Sequence, residues 1–155
     1  MSGTIDARLK ELGLELPAAT APIANYVPFT RAGNIVVVSG QVSVRDGKPE
    51  FVGKLGAGIG VADGQQAAKL CALNILAHLK TACDGDLDRV KRVLRLGGFV
   101  NCTPDFTGMP QVINGASDLM VQVFGDAGKH ARAAVGVSSL PLGVAVEVEA
   151  MFELA

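Results

Sequence analysis

From Val144 to Phe152, valine, alanine and phenylalanine alternate with shorter or charged residues. The spacing places Val144, Val146, Val148, Ala150 and Phe152 on one face of a strand. Glu147, Glu149 and Glu153 fall on the other. Such a strand is half-buried, and it needs a layer of helices on its apolar side. The preceding run, Ala131 to Ser138, is small and apolar and carries one charge, Arg132. A Leu140-Pro141 turn separates the two runs. Because they are close in sequence, the expected pairing is an antiparallel hairpin. In that register Ala134 lies near Glu147, and Arg132 becomes its diagonal neighbour on one face.

The rest of the chain supplies the covering layer. The spacing predicts a short helix over 4–13, capped by Thr4 and ended by Gly13. Asn25 to Val44 reads as strand, Gly33-Asn34 turn and strand. Asp46-Gly47 marks a further turn before a weaker strand at Glu50 to Val52. The glycine-rich stretch GKLGAGIGVADGQQ does not match either phosphate-loop spacing. It reads as a mobile loop, with Asp63 as N-cap and Gln66 completing a capping box. A long helix follows from Gly64 to about Cys83, burying Leu70, Leu73, Leu76 and Leu79 and leaving His78 partly exposed. Lys91 to Cys102 reads as a strand bent or bulged at Gly97-Gly98. Pro110 opens a second long helix, to about Gly125, which buries Val112, Ala116, Leu119, Met120 and Val123. The order is one helix, then β-β-β-α-β-α-β-β. It predicts one α+β domain over residues 1–155, with 1–20 as an N-terminal helical extension.

Composition restricts the function. Charged residues make up 19% of the chain and the net charge is −1, so no basic stripe marks a nucleic-acid surface. Low charge points instead to apolar surface covered by another subunit. No apolar run of membrane-spanning length and no signal-peptide core occur, so the expectation is a cytoplasmic protein without membrane contact. Cys71, Cys83 and Cys102 lack metal-ligand spacing and read as reduced thiols. No metal or other cofactor is expected.

The run ARAAVGVSSLPLGVAVEVEA resembles the signature of the RidA family, also called YjgF or L-PSP. That signature is an arginine strand, a Leu-Pro turn and a strand of alternating glutamates. IANYVPF, VSGQVSV and Asn114 extend the resemblance over about Ala21 to Leu154, with the N-terminal helix as an addition. The resemblance implies a chorismate-mutase-like fold, a mixed sheet packed on two long helices. It implies a homotrimer whose sheets face inward as a barrel, with clefts between neighbours. It also implies hydrolysis of amino-acid-derived enamines and imines to 2-keto acids and ammonia. By position, Arg132 grips the substrate carboxylate and Glu147 holds or activates water. Tyr26 stands at the cleft wall, Gly40 and Ala134 present backbone groups, and Asn114 lies near the cleft. Ala134 replaces a cysteine common in the family, so a role for that thiol is absent. The other function classes are a non-catalytic trimeric binder of small carboxylates and an endoribonuclease. For the latter the sequence offers one tyrosine and no catalytic histidine pair.

Overall fold

A computed structural model of the chain describes residues 3–19, 21 and 25–155. Residues 20 and 22–24, within the expected break around Pro17 and Pro22 and the start of IANYVPF, lie outside the described residues, as do 1 and 2.

Helix α1 (Thr4–Glu11) leads to strands β1 (Phe29–Ala32) and β2 (Ile35–Val42). Four two-residue strands follow: β3 (Val44–Arg45), β4 (Lys48–Pro49), β5 (Lys54–Leu55) and β6 (Gly58–Ile59). Then come α2 (Val61–Ala82), β7 (Val90–Asn101), α3 (Met109–Phe124), β8 (Ala131–Val137) and β9 (Val146–Leu154). The main sheet has the order β1-β2-β9-β7-β8. Its apolar face packs on α2 and α3, as the alternation requires. Val144, Val146, Val148, Ala150 and Phe152 are all essentially inaccessible. The leucines expected inside α2 and the apolar stripe of α3 are buried too, with Ile113 added.

The expected hairpin does not form. β7 stands between β8 and β9, antiparallel to β9 and parallel to β8. The chain leaves β7, returns along α3 and lays β8 beside β7, and such a crossover yields a parallel pair. Residues 138–145 then carry the chain across to the far side of β7. Leu142 takes a left-handed backbone there (φ 59°), and Gly143 follows at φ 68°.

Local corrections have equally local causes. Thr4 does not cap α1; Gly3 occupies that position without a side-chain bond. Asp88 does the work from a distance, accepting from the backbone N–H groups of Thr4 and Ile5, both at 2.8 Å. Gly13 does end the helix. Its N–H and that of Leu14 reach back to the carbonyls of Lys10 and Leu9, a Schellman pairing. Asp63 lies inside the first turn of α2, whose cap is Gly60, so no capping box forms. The glycine-rich stretch is pinned rather than loose: Leu55 is fully buried and its carbonyl accepts from Thr103 N–H. The weak strand lies at Lys48–Pro49, not at Glu50 to Val52, where Val52 makes only an isolated bridge to Val144. His78 is buried in α2, only 3% exposed.

Gly97-Gly98 is neither bend nor bulge. The register shifts of β7 against β9 occur earlier, between Val90 and Arg92 and between Val93 and Arg95. The glycine pair serves close approach. A Cβ built on Gly98 would stand 2.5 Å from Ile113 Cγ1 on α3. Gly98→Ala therefore forces α3 away from the sheet. The expected loss is about 1–3 kcal/mol in denaturant unfolding, and a neutral result would show that the interface has slack.

Hydrogen bonds from Ile5 and then Thr4 hold the Asp88 carboxyl below its ordinary value. A depressed carboxylate adds stability that is present above the unfolded-state value and lost as pH falls through the folded one. Asp88→Ala should speed amide exchange in α1 at neutral pH, and in the parent acidification should do the same. Unchanged α1 protection in the variant would assign the helix to its packing alone.

Candidate functional site

The register assigns the predicted site residues to two separate places. Arg132 of β8 pairs with Leu96 of β7, and Leu96 pairs with Ala150 of β9. Residues in one row share a face, and Leu96 and Ala150 point into the core. Arg132 thus rises on the helix side, at the exposed edge of the sheet. Glu147 pairs with Phe99, which pairs with Val135, in a row on the opposite, open face. Two strand spacings and three residue rises separate the Cα atoms by roughly 14 Å. The diagonal contact expected from a hairpin does not exist within one chain.

The first place gathers around Arg132. Its Nη1 donates to Asn114 Oδ1 at 2.8 Å and to Ser117 Oγ at 3.2 Å. Asn114 and Ser117 are three residues apart on α3 and so share one face of the helix. Ala134 follows Arg132 on the same side of β8, half-buried and opposite Gly98. Ser117 was absent from the sequence-derived set. The signal for it was its spacing of three from Asn114, but a serine on a helix face ordinarily reads as a solvated position.

The second place gathers around Glu147. Between Val38 and Gln41, β2 uses three residue steps where β9 uses two, from Ala150 to Val148. The extra residue makes a bulge at Ser39-Gly40. Gly40 lies directly against Glu147: a Cβ there would be 3.0 Å from Oε1. Ser39 holds the incoming chain by donating twice, from N to Pro28 O at 2.9 Å and from Oγ to Val27 O at 2.6 Å, while its carbonyl accepts from Gln41 Nε2 at 3.1 Å. Tyr26 is the next residue back and is 58% exposed. Tyr26, Gly40 and Glu147 are thus brought to one end of β2, and Arg132, Asn114 and Ala134 to the β8 edge of the sheet.

The open face around Glu147 is mixed. Val37 and Val135 are exposed on it, at 39% and 45%. Glu149 lies 4.0 Å from Arg95 Nη1. Glu147 has no basic partner within that distance among the described residues. Partial burial raises its pKa above the ordinary carboxylate value, and the Glu149 charge raises it further. All three cysteines are free, and no cluster of metal-binding side chains occurs among the described residues. No helix among the described residues is long and apolar enough to cross a membrane.

A raised carboxyl pKa means that the folded chain holds its proton more tightly than the unfolded chain. Stability then falls as pH rises from the ordinary carboxylate value through the raised one. Glu147→Gln cannot ionise, so it should unfold at higher denaturant than the parent at pH 7.5. That advantage should vanish below about pH 4. An equal separation of midpoints at both pH values would mean that ionisation of Glu147 costs the fold nothing.

Comparison with known proteins agrees with this architecture. A family model described as "YjgF/chorismate mutase-like, putative endoribonuclease" matches residues 6–154. The chain is 51% identical over 154 residues to Protein TCP17 of Trypanosoma cruzi, covering 99% of this chain and 96% of that one. The crystal structure of Atu1372 from Agrobacterium tumefaciens, a protein of unknown function, superposes with a TM-score of 0.92 at 50% identity, covering 97% and 92% of the two chains. Escherichia coli TdcF, solved with bound serine, shares the fold with a TM-score of 0.64 at 22% identity, over 91% of this chain and 97% of that one. The chain belongs to the YjgF/chorismate mutase-like family.

Proposed function

We propose that the protein hydrolyses small imines and enamines derived from amino acids to 2-keto acids and ammonia, in clefts between the subunits of a homotrimer. The observation that carries this reading is the division of the site. Arg132 and Ala134 lie on the edge strand β8 beside Asn114 of α3, while Glu147 lies on the open face of the central strand β9, with Gly40 against it and Tyr26 next to the segment that Ser39 holds. Neither half is complete alone. An assembly that sets one chain's β8 edge against a neighbour's open face joins them, and it covers Val37 and Val135 as well.

The chemistry needs little beyond positioning. In this reading Arg132 of one chain binds the substrate carboxylate through paired N–H groups, as a planar guanidinium can and an ammonium cannot. The imine carbon is already electrophilic. Glu147 of the neighbour takes a proton from water as the C–O bond forms. It passes that proton to nitrogen to give the carbinolamine, then takes the hydroxyl proton as the C=O bond forms and delivers it to nitrogen as the C–N bond breaks, so that ammonia leaves with the keto acid. A carboxylate whose pKa is raised toward neutrality suits both steps. No cofactor takes part. The endoribonuclease in the family description has less behind it here. His78 is buried in α2, and His130, the other histidine, is bonded to Ser117 and Gly128.

Light scattering should give a mass three times that of the chain at micromolar concentration. Glu147→Gln should bind a 2-keto acid nearly as the parent does, while imine hydrolysis drops by about 10²–10⁴-fold. Glu149→Gln is the control. It has the same parity on β9 but stands beside Arg95, and it should lose far less. If the parent binds keto acids and releases no ammonia from a freshly generated 2-imino acid, the protein is a binder and not a hydrolase.

A further inference from the structure

Four polar contacts form a chain that ends on Arg132. His130 Nδ1 lies 2.6 Å from the Gly128 carbonyl, and His130 Nε2 lies 2.9 Å from Ser117 Oγ. Ser117 Oγ is 3.2 Å from Arg132 Nη1, which also reaches Asn114 Oδ1 at 2.8 Å. Chemistry sets the direction of each link. A carbonyl only accepts, so His130 Nδ1 carries a hydrogen. In a neutral ring, Nε2 is then an acceptor. It takes the Ser117 hydroxyl hydrogen, and the serine oxygen is left to accept from Arg132.

The consequence lies in what remains free on the guanidinium. Arginine has five N–H groups in a fixed plane. The two on Nη1 are directed at Asn114 and Ser117. Among the described residues, Nε and Nη2 donate to nothing. Their N–H groups point the same way along one edge, and they match the two oxygens of a carboxylate.

We propose that Ser117 and His130 are positioning residues for carboxylate binding by Arg132. Together with Asn114 they pin Nη1, so that the Nε–Nη2 edge is the one presented to the ligand. The ligand is a planar carboxylate taken side-on, and this rests on the carboxylate-binding role given to Arg132 above. His130 acts through Ser117. By taking the hydroxyl hydrogen it stops Ser117 from turning that hydrogen toward Arg132, which would oppose the Nη1 contact. The arrangement is local and not a core contact: Ser117 is partly exposed, and the neighbouring buried layer of α3 is Ala116, Leu119 and Met120. Removing its hydroxyl therefore leaves the packing of α3 in place.

Two measurements test this, one of them free of any ligand. Long-range ¹H–¹⁵N spectra of the histidines should show His130 with hydrogen on Nδ1 and Nε2 unprotonated. Slowed rotation should be visible for the Arg132 Nη1 hydrogens, and Ser117→Ala should speed it, leaving only the Asn114 contact. A His130 ring with its hydrogen on Nε2, or Nη1 hydrogens equally mobile in parent and variant, would overturn the proposal. Calorimetry with 2-oxobutanoate supplies the second reading. Ser117→Ala should weaken binding by about tenfold, His130→Ala should act in the same direction, and Ser117→Thr should restore parental affinity. Parental binding by Ser117→Ala would also overturn it. If the parent itself does not bind 2-oxobutanoate, the hydrolase reading fails, and the two spectra still decide whether Ser117 and His130 position Arg132.

Discussion

The bare backbone at Gly98 governs the molecule's working edge. No methyl group fits between it and Ile113, so α3 sits as close to β7 as a helix can. Gly115, two residues beyond Ile113, makes a similar approach on the other side, where a Cβ would stand 2.1 Å from the Gln65 carbonyl of α2. These contacts fix α3 against both α2 and the sheet. Asn114 lies between them in sequence and Ser117 one turn on, and both reach the guanidinium of Arg132 on the neighbouring strand. A helix displaced by the width of one methyl would lengthen both bonds beyond useful range. Packing here also fixes the geometry of the proposed binding residue Arg132.

The sheet separates charges as well as layers. Its helix side is closed by apolar residues except at the β8 edge, where Arg132 emerges. Its open side carries Glu147 and Glu149 among valines and Phe99. A carboxylate in such company is drawn toward its neutral form by the loss of water around it and by its like-charged neighbour. The same valines that make this face costly to leave in water make it suited to a second copy. One feature of the surface thus underlies both the proposed chemistry of Glu147 and the proposed assembly.

The N-terminal helix is joined to this body by polar contacts around a small apolar anchor. Leu9 enters the main core, Asp88 receives the first N–H groups, and Lys80 meets Asp6 at 3.0 Å. Its existence and its glycine end were legible in the sequence. Its cap was not, because the capping carboxylate lies 84 residues away. The same holds for α2. Asp63 and Gln66 have the spacing of a capping box, but the helix starts earlier, at Val61, and its first turn is already packed, since a Cβ at Gly64 would meet Val112 and Leu55. Local motifs compete with tertiary packing at helix ends, and packing won at both.

Periodicity alone determined which residues of β9 face the helices, which stripes of α2 and α3 are buried, and where the chain turns at Gly33-Asn34. These are properties of single elements, set by an alternation of two or of three to four residues and by turn residues, although His78 in α2 and Ile113 in α3 are buried beyond what that pattern gave. It also determined that Arg132 and Ala134 share a side, and that Glu147 and Glu149 do. It did not determine whether the arginine pair and the glutamate pair share a face, because that depends on which strand lies between them. Sequence proximity favoured a hairpin. The tertiary structure instead returned β8 parallel to β7 through α3, since a strand leading into a helix closes its layer only by such a crossover. That one choice of neighbour moved Arg132 to the helix side at the β8 edge, left Glu147 on the open face of the central strand, and so separated within one chain the residues that the linear order had joined.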